Sequence, residues 1–183
     1  MASSQADRPA KRQGLRLLLL RHAKSAWPDG VADEERPLNA RGRASASMVG
    51  DYLAREGLVP DLALVSSARR TRETWALVGE CLPRTPKVRQ EPGLYAASAE
   101  DMLGVLRRVE AIFPTVLILA HNPGTQDLAL LLSGAGEKSQ RREIGEKYPT
   151  AGLAVIDFGL DDWGKVGAGA GFLERFVTPR MLG

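Results

Sequence analysis

The chain has 183 residues, 44% of them hydrophobic and 26% charged, which suits one globular domain with a full core. A formal net charge of +3 arises from lysines and arginines scattered among carboxylates, not from a basic stretch, and this argues against nucleic acid as a partner. The only cysteine, Cys81, rules out an intramolecular disulfide and points to a reducing, cytoplasmic setting, while no apolar stretch reaches the length of a membrane span.

Residues 1–13 are polar and basic with nothing to anchor them to a core, so they read as a flexible tail ahead of a single domain over residues 14–183. Leu17 to Leu20 form an apolar run too short to span a membrane and read as a buried central strand. The run passes directly into Arg21-His22, which is not the pattern of a cleaved signal peptide. A loop follows through Ala26-Trp27-Pro28-Asp29-Gly30 and the acidic Asp33-Glu34-Glu35. Asn39 then has the character of an N-cap, with Ala44, Met48, Val49, Tyr52 and Leu53 at helical spacing until Gly57 and Pro60. The spacing predicts a second strand over 61–66 and a helix over 70–82 that turns Thr74, Leu77, Val78 and Cys81 inward, with Pro83 and Pro86 ending it.

Residues 88–94 fit either a short strand or an extended link, and 99–112 a helix burying Met102, Leu103, Leu106 and Val109. A third strand is expected over 115–120, then a helix over 124–132 capped by Asn122 with Pro123 at its first position. Glycines and charges over 134–148 suggest a loop, and two late strands are expected over 152–158 and 172–177, around a turn-rich stretch at Asp161-Asp162-Trp163-Gly164. Trp27, Trp75 and Trp163 read as packing residues, and Arg69, Arg72, Arg107 and Arg108 as solvated helix faces.

Each of the three early strands ends on chemistry-bearing side chains: Arg21-His22, then Arg69-Arg70, then His121-Asn122-Pro123-Gly124. In an open parallel sheet the carboxyl ends of the strands are where ligands bind. Two histidines are too few for a full set of metal ligands. An anion is the better guest, because arginine forks match phosphate oxygens and nearby positive charge keeps an imidazole neutral and nucleophilic. The amides and dipole of a helix starting at Gly124 add positive potential there.

Three motifs resemble the histidine phosphatase superfamily, and within it the SixA-type phosphohistidine phosphatases. They are Leu20-Arg21-His22-Ala23-Lys24-Ser25, Ser66-Ser67-Ala68-Arg69-Arg70-Thr71-Arg72-Glu73-Thr74, and Ala120-His121-Asn122-Pro123-Gly124. The segments from Pro37-Leu38 to Gly42 and Val177-Thr178-Pro179-Arg180 are also similar to the family. The second motif pairs an arginine with Glu and Thr three and four places on, which selects Arg70 over Arg69. The resemblance implies a phosphoglycerate mutase-like fold, a three-layer α/β/α sandwich on a mostly parallel central sheet. It also implies that His22 is a nucleophile forming a transient phosphohistidine and that Arg21, Arg70 and His121 bind the phosphoryl group. Ser25, with Lys24 on the same loop, and Asn122 beside His121 are further candidates for contact with substrate. No metal or cofactor is implied, and the chain would act as a monomer. The expected substrate is phosphohistidine on a protein; the alternatives are a small phosphorylated metabolite and, in another class, a phosphate-binding module without turnover. Many relatives carry a general acid in a longer insertion between the second and third motifs. Here that interval is short, with Glu91, Glu100 and Asp101 its unaligned candidates.

Overall fold

The computed structural model describes residues 14–183, so the tail expected over 1–13 lies outside the described residues. The elements run β1 (Leu15–Arg21), α1 (Ala40–Arg55), β2 (Leu62–Val65), α2 (Arg69–Glu80), β3 (Lys87–Gln90), α3 (Ala99–Arg107), β4 (Thr115–Ala120), α4 (Gly124–Leu132), β5 (Ser133–Gly136), α5 (Lys138–Glu146), β6 (Leu153–Phe158) and β7 (Gly171–Val177). One sheet takes the order β3-β2-β4-β1-β6-β7-β5. Its strands run in one direction except β6, which pairs antiparallel with both β1 and β7.

The leucines of β1 explain its central place. Leu17 and Leu19 face one apolar layer with Met102, Leu106, Leu128 and Trp163. Leu18 and Leu20 face the other, with Val49, Leu53 and Val78. A strand buried on both faces has to be apolar at every position. Helices α3 and α4 cover the first face, α1 and α2 the second, which completes the α/β/α sandwich.

Helix α1 starts where the sequence placed it, with the Asn39 side chain accepting from the Gly42 N–H, and Gly57 lies just beyond its end at φ 65°. Ala46, not Ala44, faces the core. Helix α3 begins in a Ser98/Asp101 capping box and stops at Arg107, short of the expected residue 112. The chain turns there, with Phe113 N–H bonded to the Glu110 carbonyl, and Ile112 is left 77% exposed. The loop expected over 134–148 is instead β5 and α5. In β5, Ser-Gly-Ala-Gly offers no apolar pattern to read; it pairs parallel to β7, and Gly134 has to be a glycine because a Cβ there would collide with the Gly169 carbonyl just ahead of that strand. In α5, Ile144 is the buried residue and the rest of the helix is polar or small, so its period is faint. Residues 87–90 resolve as the edge strand β3, parallel to β2. Trp163 is fully buried, whereas Trp27 is 73% exposed and lies against the Arg36 guanidinium, 3.1 Å from ring centroid to Cζ, so it is not a core residue.

Candidate active site

Strands β1, β2 and β4 end side by side, and the residues after them meet at the carboxyl edge of the sheet. His22 follows β1, its N–H bonded to the Ala120 carbonyl. Its Nδ1 donates to the Ala23 carbonyl at 2.7 Å, and since a carbonyl only accepts, the proton of the neutral ring sits on Nδ1 and the Nε2 lone pair is free. The ring is 8% exposed. Burial, aided by His121, Arg70 and Arg21, brings its pKa down to about 3. The imidazole is therefore unprotonated at neutral pH and presents a nucleophilic nitrogen.

His121 follows β4, and its ring centroid lies 5.2 Å from that of His22. Its Nε2 is 2.8 Å from the buried Ser66 hydroxyl, which follows β2. When that hydroxyl donates, the ring proton falls on Nδ1, a buried atom with no hydrogen-bond partner among the described residues. Burial, followed by the charge of Arg70, lowers this histidine to about 4. Arg21 donates from Nη1 to the Tyr148 carbonyl at 2.7 Å, and its Nε is also buried without a partner. Buried N–H groups are rarely left unpaired, so two of them at one edge mark a place for an acceptor from outside the chain.

Helix α2 carries the second motif, and its i, i+3, i+4 spacing sets three side chains on one face. Arg70 reaches into the site and is 6% exposed. Glu73 accepts from the Leu38 N–H at 2.8 Å, and Thr74 accepts from the Ala23 N–H at 3.1 Å. The motif thus ties the loop after β1 to the helix that supplies Arg70. Arg69 points outward to an exposed pair with Glu73 at 2.7 Å.

Asp33, an ordinary loop acid in the sequence, is the hub of the arrangement. Its Oδ1 accepts from Arg36 at 2.8 Å, and its Oδ2 accepts from Arg70 at 3.0 Å and from the Tyr95 hydroxyl at 2.7 Å. Its backbone carbonyl takes a second bond from Arg70. The Tyr95 hydroxyl first, then Arg36, hold the Asp33 carboxyl well below the usual carboxylate range. Arg36 also donates to the Ala26 carbonyl and the Ser25 hydroxyl.

Of the six residues singled out in the sequence, Arg21, His22, Arg70 and His121 come together. Ser25 stands one step back, its hydroxyl accepting from Arg36. Asn122 does not cap α4; Pro123 holds the cap position, and the Asn122 amide donates at 3.2 Å to both Gln126 and the Tyr148 carbonyl. The acid candidates lie elsewhere: Glu91 accepts from the Gly93 N–H, Asp101 belongs to the α3 capping box, and Glu100 is exposed. Ser66, Asp33, Arg36, Tyr95 and Tyr148 were not read from the sequence. The Asp33–Arg36 spacing just ahead of Pro37-Leu38 was the available signal for the first pair. Tyr95 and Tyr148 had none, since their roles depend on loops meeting in space. Among the described residues no three His, Cys, Asp or Glu side chains are grouped to hold a metal ion.

A family model for the histidine phosphatase superfamily, branch 1, matches residues 17–131, a span that contains all four converging side chains. The chain belongs to the histidine phosphatase superfamily. An uncharacterised protein of Mycobacterium tuberculosis is 36% identical over 163 residues, covering 88% of this chain and 100% of its own length. Among solved structures, the proposed phosphohistidine phosphatase SixA of Agrobacterium tumefaciens superposes with a TM-score of 0.74 at 29% identity, covering 91% of this chain and 99% of its own. The corresponding SixA protein of Nakamurella multipartitia gives a TM-score of 0.79 at 25% identity, covering 92% and 98%. The fold of this histidine phosphatase is accordingly phosphoglycerate mutase-like, and it is shared with these SixA proteins.

Proposed function

We propose that this histidine phosphatase removes the phosphoryl group from phosphohistidine on a protein, with His22 as the nucleophile and without a metal or cofactor. The observation that carries the reading is the His22 ring itself: neutral, its Nδ1 bonded to the Ala23 carbonyl and its Nε2 unblocked, between two guanidinium groups and a second neutral imidazole. In the first step the Nε2 lone pair forms a bond to phosphorus while the bond to the leaving nitrogen breaks, and the departing imidazole gains a proton. In the second step water attacks the phosphorus held on Nε2, loses a proton, and releases inorganic phosphate and neutral His22. Arg21, Arg70 and the His121 Nδ1–H stabilise the equatorial oxygens as charge spreads over them.

The choice of a P–N bond rests on the acid. Asp33 is the carboxylate at the site, and it is held ionised by three donors, so it has no proton to give. An alkyl ester must leave as an alkoxide unless an acid protonates it, and a positioned acid contributes about 10²–10⁴-fold. An imidazole leaving group takes its proton from solvent near neutral pH. The likeness to SixA proteins supports the same substrate class. The test compares a phosphohistidine-bearing protein with aryl and alkyl phosphate esters, with and without a chelator. We expect phosphohistidine and activated aryl esters to exceed alkyl esters by about 10²-fold in kcat/KM, unaffected by chelation. Rapid turnover of a simple sugar phosphate would instead assign the protein to small metabolites.

A further inference from the structure

The Tyr95 hydroxyl joins two loops that are distant in sequence, and it does so at the carboxylate that grips Arg70. It donates to Asp33 Oδ2 at 2.7 Å, the same oxygen that accepts from Arg70 Nη2 at 3.0 Å. The tyrosine ring stands edge-on to His121 at 5.6 Å between centroids, and the Arg70 Cζ lies 6.0 Å from its centre. The loop that carries it is itself fixed. Ala96 adopts φ 51°, outside the range most side chains favour, and the Ala97 carbonyl sits so close to Gly124 at the start of α4 that a Cβ there would come within 2.1 Å. Tyr95 is thus delivered by a rigid turn to one side of Arg70, while Asp33 arrives from the other.

We propose that Tyr95 is a positioning residue for phosphoryl transfer: by fixing Asp33 it sets the plane of the Arg70 guanidinium, so that the N–H groups not bonded to Asp33 stay aimed at the phosphoryl oxygens. The inference rests on the role proposed above for Arg70. A fork held by one carboxylate oxygen alone can pivot about that contact. The backbone carbonyl of Asp33 supplies a second point through Arg70 Nη1; Arg36 holds the other carboxylate oxygen, Oδ1, at 2.8 Å, and the Tyr95 hydroxyl restrains Oδ2, the oxygen that Arg70 grips. Because the orientation of Arg70 matters most when charge spreads over the equatorial oxygens, losing it falls on kcat more than on KM.

The test uses Tyr95→Phe, which keeps the ring and its contacts and removes only the hydroxyl. With an aryl phosphate as substrate, kcat should fall about tenfold with KM changed by less than about twofold. In an Arg70→Ala background the same substitution should have no further effect, because its influence passes through Arg70. Nitrogen-15 NMR of the guanidinium groups offers a readout that needs no turnover: Arg70 should show two resolved Nη signals in the wild-type protein and faster exchange between them in Tyr95→Phe, reporting a loosened guanidinium that still bonds Asp33. Wild-type kcat in Tyr95→Phe, or an equal loss in the Arg70→Ala background, would overturn the proposal. If the NMR signals behave as expected but no phosphorylated compound is turned over by the wild-type protein, the positioning holds and the phosphatase reading fails.

Discussion

A buried neutral imidazole beside two guanidinium groups leaves a thermodynamic signature. His22 and His121 stay unprotonated in the fold down to about 3 and about 4, whereas a histidine in an unfolded chain titrates near about 6.5. From about pH 6.5 down to about 4 for His121 and about 3 for His22 the unfolded state therefore binds more protons than the folded one, so the stability tied to these groups is complete above that range and is lost as pH falls through it. Urea unfolding at pH 7 and pH 4.5 should show a smaller acid loss for the double variant His22→Asn/His121→Asn than for wild type; equal losses would show that the two rings are not held neutral. Ser66 offers a sharper test of orientation. Ser66→Ala frees His121 Nε2 and should lower kcat about tenfold with little change in KM. Ser67→Ala should leave the rate within about twofold, since that hydroxyl donates to Glu34 at 2.6 Å instead. An unchanged rate in Ser66→Ala would mean that Ser66 does not set the His121 ring.

At the scale of the elements, close backbone approach decides which glycines can change. Gly124→Ala would drive a methyl group against the Ala97 carbonyl at the turn carrying Tyr95, and should cost about 1–3 kcal/mol together with activity. Gly145→Ala, in α5 with nothing near the added carbon, should stabilise the protein by about 0.5–1 kcal/mol. Thermal unfolding of the two variants separates these outcomes, and similar shifts in both would refute the packing argument. The same contrast explains what the sequence revealed. Strands β1, β2 and β4 were legible because burial on both faces demands unbroken apolar runs, and α1 because its cap and its stop are chemical signals. Strand β5 was not, because a strand made of small residues is defined by what its neighbour leaves room for. Arg21, His22 and His121 could be read from their positions after the strands, whereas Arg70 was separated from Arg69 only by the motif's spacing to Glu73 and Thr74. Their supports could not, because Asp33 meets Tyr95 across 62 residues of chain and Arg21 meets Tyr148 across 127.

Over the whole molecule, the central position of β1 has a consequence in time. The strand that ends in Arg21 is followed at once by His22, and it is an early part of the chain, yet its partners are β4 and β6, paired through Arg16 with Thr115 and Asp157. The Tyr148 hydroxyl that bonds the Leu19 carbonyl and the Ala154 N–H, joining β1 to β6, also comes late. Pairings of such long sequence separation form slowly, since the loop between them must close before any contact offsets the lost entropy. During synthesis the leucines of β1 emerge well ahead of β4 and β6 and wait without a strand beside them. The segment that organises the finished site is therefore among the last to find its neighbours, because β1 has no partner in the sheet until β4 and β6 are free to pair.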